Sequence, residues 1–193
     1  MVEQTRTGIT LDELVSMGDE WVEIIDGERV QLNMAAGLQH NHIAVNVHSV
    51  LKDFVRANKL GSVHMDGLTY VIAVEDDTVE QTRLPDVSFI RSGRITKDMD
   101  ISKPFVGAPD LAIEVTSPGQ TAETLRQRVR DYLEHGSQQV WVLYVASEEV
   151  YTYDSKSPGQ AAIYTAGQTF TSALFPGLTV RVDDLFDLSE LFE

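Results

Sequence analysis

The sequence contains no cysteine, which excludes disulfides, thiolate zinc sites and a cysteine nucleophile. Long apolar runs are also missing, since none approaches the roughly 18 residues that indicate a transmembrane helix. The first ten residues, MVEQTRTGIT, lack the apolar segment of a secretory signal. These absences predict a soluble, cytoplasmic protein without a membrane partner.

Positive charge is scarce, because 15 Lys and Arg face 30 Asp and Glu and the formal net charge is -15. A field of this sign repels polyanions and counts against a nucleic-acid-binding protein. It does not exclude one, because a local basic surface or bound divalent cations would suffice. Five basic residues bracket the first acidic motif described below, and each taken singly is expected to be a solvated loop charge. They are Arg83, Arg91, Arg94, Lys97 and Lys103.

The length of 193 residues and the hydrophobic content of 42% predict one domain that spans residues 1–193. Thr10 to Glu13 has the form of a capping box, and it predicts a short helix that ends at Met17. Asp26-Gly27 separates two strand patterns and predicts a type I′ hairpin. Apolar residues at helical spacing between 37 and 60 predict the longest helix.

Three further segments receive local predictions. The acidic stretch EDDTVEQT, residues 75–82, is predicted to be a loop or hairpin tip, and the polar stretch from 91 to 108 a flexible flap. The C-terminal DDLFDLSELF, residues 183–192, is predicted to be an amphipathic helix. Together the patterns predict a mixed α/β or α+β fold with one sheet.

Two central strand patterns carry acids on one face. In LPDVSFI, Asp86 shares a face with Ser88, and in DLAIEVT, Glu114 shares a face with Asp110, while the opposite faces are apolar. Asp110 lies two pleats from Glu114, roughly 13 Å by strand rise, so we expect it to position the start of the strand. Hard cations such as Mg²⁺ and Mn²⁺ take carboxylate oxygens, which makes Asp86 and Glu114 candidate metal ligands.

An amphipathic helix follows the second strand, and Arg128 lies at the edge of its apolar stripe beside Leu125 and Tyr132. The apolar run VWVLYV comes next, so strand, helix and strand predict a β-α-β unit with parallel strands. Taken alone, Glu23 is expected at a solvated strand edge, and His40 at the start of a helix is expected to bond to backbone. An acid and base pair of a glycosidase is an alternative for the carboxylates, but nothing resembles a sugar cleft with aromatic platforms.

The order of motifs resembles the Uma-two family of restriction-endonuclease-like proteins, which belongs to the PD-(D/E)xK nuclease superfamily. The likeness runs from about Trp21 to Phe186, and an ordered series is more specific than any single motif. The motifs are IDGERV, His40 at a helix start, LPDVSFI, PDLAIEVTSP, RQRVRDYLEHG, VWVLY and LFPGLTVRVDDLF.

The resemblance implies a restriction-endonuclease-like central mixed sheet flanked by helices and a Mg²⁺- or Mn²⁺-dependent endonuclease, with DNA as substrate and a homodimer as assembly. It implies that Asp86 and Glu114 bind the metal, with Glu23 as an additional carboxylate and His40 as the helix-start histidine. The superfamily lysine would stand at Thr116, and this family moves it to the position of Arg128. Arginine remains charged and is a poor base, so a catalytically weakened member that acts as a binding protein is the alternative function.

Overall fold

The structure, a computed structural model, describes residues 8–17, 21–32 and 37–192. The helices are α1 (Leu11–Ser16), α2 (Leu38–Ala57), α3 (Ala122–Glu134) and α4 (Val182–Phe186), and a 3-10 helix spans Ser189–Phe192. The strands are β1 (Val22–Ile25), β2 (Glu28–Gln31), β3 (Gly61–Met65), β4 (Tyr70–Glu75), β5 (Thr78–Arg83), β6 (Val87–Arg91), β7 (Phe105–Val106), β8 (Leu111–Val115), β9 (Gln139–Tyr144), β10 (Glu149–Asp154), β11 (Ala161–Tyr164), β12 (Thr169–Thr171) and β13 (Thr179–Arg181).

A six-stranded mixed sheet forms the centre of the fold, in the order β11-β10-β9-β8-β6-β3. Strands β8 and β9 are parallel and flank α3, while the other neighbours in the sheet are antiparallel. Helix α2 packs in the larger core on one face, together with α4, and α3 packs on the other face through Leu125, Val129 and Tyr132. The structure therefore confirms a mixed central sheet flanked by helices and the parallel β-α-β unit.

A second, three-stranded sheet of β5, β4 and β7 lies beside the first, and the β1–β2 hairpin packs against it. The amide of Ile24 in β1 donates to the hydroxyl of Thr82 in β5 at 2.8 Å. This contact joins β1 to the second sheet, and Val22, Glu23 and Ile24 of β1 are buried. The prediction of one sheet was therefore wrong, because a short β12–β13 pair and this second assembly are separate from the central sheet.

Local signals located several elements correctly. Thr10 accepts a hydrogen bond from the Glu13 amide at 3.3 Å, and the Glu13 side chain accepts from the Thr10 amide at 2.8 Å, so the capping box starts α1. Asp26 and Gly27 have φ angles of 52° and 77°, as a type I′ turn requires. The apolar stripe of α2 is buried as its spacing predicted.

Other local predictions were wrong. Residues 78–83 form β5 instead of the predicted loop, because they pair with β4 and most of them are buried. Only the preceding turn is a hairpin tip. The C-terminal segment is not one helix, since Asp187 is extended and separates α4 from the 3-10 helix. The segment after β6 is not free throughout, because β7 pairs in parallel with β4. Among the described residues, no helix is both long and apolar enough to cross a membrane.

Candidate functional site

Three carboxylates form a row across three neighbouring strands at one end of the central sheet. The antiparallel register pairs Val87 with Ile113, so one further residue brings Asp86 opposite Glu114. The register of β3 with β6 pairs Met65 with Val87, and its continuation brings Asp66 beside Asp86. Directly opposed residues point to the same face, with Cβ atoms about 5 Å apart. The strands of the sheet thus bring Asp66, Asp86 and Glu114 together.

Asp86 is fixed by two contacts from different elements. Its Oδ2 accepts a hydrogen bond from the amide of Val115, the residue after Glu114, at 2.6 Å. Its Oδ1 lies 3.1 Å from Nε2 of His40 in the first turn of α2. The expected backbone bond of the His40 ring is therefore replaced by a contact with Asp86, whose hydrogen bond raises the pKa of His40 while burial lowers it.

Glu114 accepts two hydrogen bonds from α3. Its Oε1 accepts from the Tyr132 hydroxyl at 2.8 Å and from an Nη atom of Arg128 at 3.2 Å. Arg128 and Tyr132 are four residues apart and so project from the same face of the helix. The Arg128 guanidinium, which was predicted to reach toward the sheet, contacts Glu114 of β8.

Glu23 is buried, with 2% of its surface exposed, so the expectation of a solvated strand edge was wrong. The hairpin packs β1 against β5, and the Glu23 carboxylate lies between Arg83 and Arg128. The second Nη of Arg128 lies 3.0 Å from Glu23, and an Nη of Arg83 donates to it at 3.3 Å. The amide of Leu84 donates to Oε1 at 3.1 Å. Glu23 thus connects β1 to α3 and to the chain that leads into Asp86.

Arg83 was also wrongly predicted, as a solvated loop charge, although it is 2% exposed at the end of β5. Its Nε donates to Oδ2 of Asp131 at 3.2 Å, and an Nη atom contacts the same oxygen. Oδ1 of Asp131 accepts a hydrogen bond from the side-chain amide (Nε2) of Gln127 at 2.8 Å. Arg83 therefore joins β5 to α3 and to Glu23.

The row of acids opens into a cleft of about 490 Å³. Its lining includes His40, Asp66, Asp86, Glu114 and Arg128, with loop residues 117–120 after β8 on one side. Arg128 is the one guanidinium or ammonium group among the lining residues that the structure describes. The cleft has room for a phosphate group and water, and its charge is dominated by carboxylates.

The charge on Glu114 depends on its surroundings. Burial raises the pKa of Glu114 to about 7, the Arg128 charge and the Tyr132 hydrogen bond oppose this, and Asp86 and Glu23 add to the rise. Burial also raises the pKa of Asp66, and the charge of Asp86 acts in the same direction. Burial acts to lower the pKa of Arg128, but Glu114 and Glu23 raise it overall, so the guanidinium stays charged.

The donor set fits a hard divalent cation with few protein ligands. The carboxylates of Asp86 and Glu114 supply the oxygen ligands that Mg²⁺ and Mn²⁺ take, and burial, with a smaller contribution from the neighbouring acids, raises the pKa of Glu114. Nδ1 of His40 and Oε1 of Gln120 are buried in the cleft wall without a hydrogen-bond partner in the described part of the chain. The described residues form no cluster of three His, Cys, Asp or Glu arranged around one point, so a bound ion would keep several waters.

The structure brings together all five residues that the sequence singled out: Glu23, His40, Asp86, Glu114 and Arg128. Asp110 lies at the other end of β8, where its carboxylate accepts from the Arg91 amide and from Arg94, as expected of a strand-positioning residue. The hydroxyl of Thr116, at the superfamily lysine position, accepts from the Val145 amide and does not line the cleft.

Sequence reasoning missed Asp66, Arg83 and Asp131 as neighbours of the site. For Asp66 a signal existed, because Asp66-Gly67 ends a strand on the same side as Asp86 once that strand is paired. For Arg83 and Asp131 there was none, because their contact joins a strand and a helix 48 residues apart.

Comparisons with known proteins give a family and a fold. The sequence profile of the Uma2 family, described as "Putative restriction endonuclease", matches residues 11–183. The crystal structure of a "putative nuclease belonging to DUF820" from Anabaena variabilis superposes with a TM-score of 0.77 at 23% sequence identity, over 92% of this chain and 97% of that one. At that identity the likeness shows a common fold. No curated protein matches the sequence.

Proposed function

This chain belongs to the Uma-two family described as "Putative restriction endonuclease", and on that premise we propose that its cleft hydrolyses phosphodiester bonds of nucleic acid, DNA in particular. One observation carries the proposal. Asp86, immediately before β6, lies beside Glu114 of the neighbouring β8, and Arg128 contacts Glu114 at the wall of an open cleft. Paired acids beside a cation are what metal-assisted phosphodiester hydrolysis requires.

In this proposal Asp86 and Glu114 hold Mg²⁺ or Mn²⁺. The bound ion supplies charge that polarises a phosphate oxygen and lowers the pKa of a water molecule. His40 and the Val115 amide orient the Asp86 carboxylate through its two oxygens. The Tyr132 hydroxyl and Arg128 together orient Glu114. The protein thus fixes both ligands before the substrate arrives, which is the main requirement of an electrostatic mechanism.

Arg128 has an electrostatic role in this scheme. Its guanidinium bonds to Glu114 and Glu23 and faces the cleft, so it can stabilise negative charge that develops on the phosphate. It cannot take a proton from water, because an arginine remains charged in proteins. Glu23 contributes indirectly by holding Arg128.

The same arginine favours a second function, in which the chain binds nucleic acid and hydrolyses it slowly or not at all. The family's lysine position holds Arg128, and each of its two Nη atoms already bonds to an acid, one to Glu114 and one to Glu23. For either function we propose a homodimer, because two copies related by a twofold axis would present one cleft to each strand of a duplex.

Plasmid nicking with Mg²⁺ or Mn²⁺ tests the proposal. The wild-type chain is expected to convert supercoiled DNA to the open circle, and Asp86→Ala is expected to abolish the conversion because it removes one of two carboxylate ligands. Activity that persists in Asp86→Ala would identify a contaminant and overturn the assignment of the cleft.

Arg128→Lys separates the two functions in the same assay. If the wild type is inactive and Arg128→Lys nicks DNA, the binding function is correct for the natural chain and the cleft is still a nuclease site. If neither variant nicks DNA although both bind Mn²⁺, hydrolysis is the wrong reaction class.

A further inference from the structure

A charged pair buried below the candidate site has no part in the proposed chemistry. Arg83 is 2% exposed and Asp131 is 3% exposed, so both charges have lost nearly all of their contact with water. Desolvation of two charges commonly offsets their attraction, which makes a buried ion pair a poor source of stability. Its place in the fold therefore calls for another explanation.

The contacts of the pair lead directly to the site. Arg83 holds Asp131 through Nε at 3.2 Å and Glu23 through an Nη at 3.3 Å. Glu23 in turn binds Arg128 at 3.0 Å, and Arg128 binds Glu114 at 3.2 Å. A continuous chain of charge-assisted hydrogen bonds thus runs from Arg83 to the second metal-ligand candidate.

The second route runs along α3. Asp131 lies between Arg128 and Tyr132 in the sequence, and its other oxygen accepts from Gln127 in the preceding turn. When Arg83 holds Asp131, it therefore holds the helical turn from which Arg128 and Tyr132 reach Glu114. Both routes constrain Arg128, and the second also constrains Tyr132.

We propose that Arg83 and Asp131 are positioning residues, which fix Glu23 and α3 so that the Arg128 guanidinium stays against Glu114; the inference rests on the proposed function of that site. Arg83 compensates the charge of Glu23, so Arg128 keeps one Nη for Glu114. Asp131 compensates Arg83 in turn. Neither residue is among those that line the cleft, so both would act through Glu23 and α3.

The test compares the full chain with the charge-balanced double variant Arg83→Met/Asp131→Leu. Apolar replacements of similar size often leave stability unchanged, so the melting temperature is expected to stay near the wild-type value. The Arg128 Nε–H signal in ¹H–¹⁵N spectra, assigned through Arg128→Lys, is expected to shift and to exchange faster with water. DNA nicking is expected to fall about 10- to 100-fold, as when groups that orient metal ligands are removed.

Arg94→Met is the matched control, because Arg94 also pairs with a buried aspartate, Asp110, at 2.8 Å, but at the other end of β8. It is expected to leave the Arg128 signal unchanged. An unchanged Arg128 signal in a folded double variant would overturn the positioning role. If the double variant does not fold, Arg83→Lys replaces it in the test. A lysine keeps the charge but cannot bond Asp131 and Glu23 with the forked geometry of a guanidinium. An Arg128 signal like that of the wild type in this variant would again overturn the positioning role.

The two proposals fail in different ways. A wild-type chain that never nicks DNA contradicts the nuclease function, while the Arg128 signal still reports whether Arg83 and Asp131 position the guanidinium. A wild-type chain that nicks DNA, with an equally active and folded double variant, contradicts only the positioning role.

Discussion

At the scale of the residue, Glu114 combines two requirements that compete. In its proposed role as a metal ligand Glu114 must be ionised, whereas burial and the neighbouring acids raise its pKa to about 7. Arg128 and Tyr132 stabilise the ionised form, but the effect of burial is larger. Cation binding must therefore displace a proton near neutral pH.

This competition predicts the pH dependence of cation affinity. Below pH 7 the Mn²⁺ affinity of the wild type is expected to fall about tenfold per pH unit, because one proton must leave Glu114 for each ion bound. Glu114→Gln is expected to bind Mn²⁺ weakly and without this slope. Calorimetry at pH 5.5, 6.5 and 7.5, values chosen to bracket about 7, measures both effects.

The exposed Glu123→Gln on the same helix is the control, and its affinity profile should match the wild type. The same shift has a consequence for stability. The folded state holds the proton of Glu114 more tightly than the unfolded state, so the contribution of Glu114 to the free energy of unfolding falls as pH rises from about 4.5 to about 7. In the calorimetric test, a wild-type Mn²⁺ affinity that is constant from about pH 5.5 to about 7.5 would contradict the buried, partly protonated state of Glu114.

At the scale of the element, the β1–β2 hairpin decides where Glu23 lies. Its turn needs positive φ at both central residues, and Gly27 also donates its amide to the Glu80 carbonyl at 2.9 Å. That bond and the Ile24 bond to Thr82 attach the hairpin to β5. The conformation of the turn at Gly27 therefore helps to position the carboxylate of Glu23, four residues earlier.

Gly27→Ala is expected to lower the free energy of unfolding by about 1–2 kcal/mol, because an alanine at this left-handed φ of 77° meets its own carbonyl. An added Cβ would also lie 3.3 Å from the Glu80 side chain. Gly159→Ala is the control, since its Cβ would enter open space and its φ is not left-handed. Its effect should stay within about 0.5 kcal/mol. Urea unfolding measures both, and equal effects would show that the turn geometry does not matter.

Elements with a strong local signal could be predicted from the sequence. The alternation in LPDVSFI and DLAIEVT predicted the acidic faces of β6 and β8, and the β-α-β pattern brought Arg128 over them. Burial by a remote element could not be predicted, because it leaves no local pattern. Glu23 looked like an edge residue and Arg83 like a loop charge because neither β5 nor its contact with α3 was recognised.

At the scale of the whole molecule, the net charge of -15 opposes any approach to a nucleic acid. The cleft does not correct this locally, since three carboxylates line it beside Arg128 and His40. A divalent cation held by Asp86 and Glu114 would neutralise most of this local negative charge and give a phosphate an attractive partner. Because the protein is acidic, nucleic-acid binding then depends on the ion, as hydrolysis does.

DNA binding is therefore expected to need a divalent cation, and neutralising the two ligands should replace that need in part. In EDTA, Asp86→Asn/Glu114→Gln is expected to bind a labelled duplex about fivefold or more tightly than the wild type, because each like charge near a phosphate is worth on the order of 1 kcal/mol. Adding Ca²⁺ should strengthen wild-type binding and leave the double variant unchanged. The control Asp183→Asn/Asp184→Asn changes the net charge by the same amount on α4, which packs on the sheet face opposite α3. It should have little effect on DNA binding, because salt screens distant charges. Fluorescence anisotropy measures all three proteins, and equal wild-type affinity in EDTA and Ca²⁺ would contradict a cation bridge between the cleft and DNA.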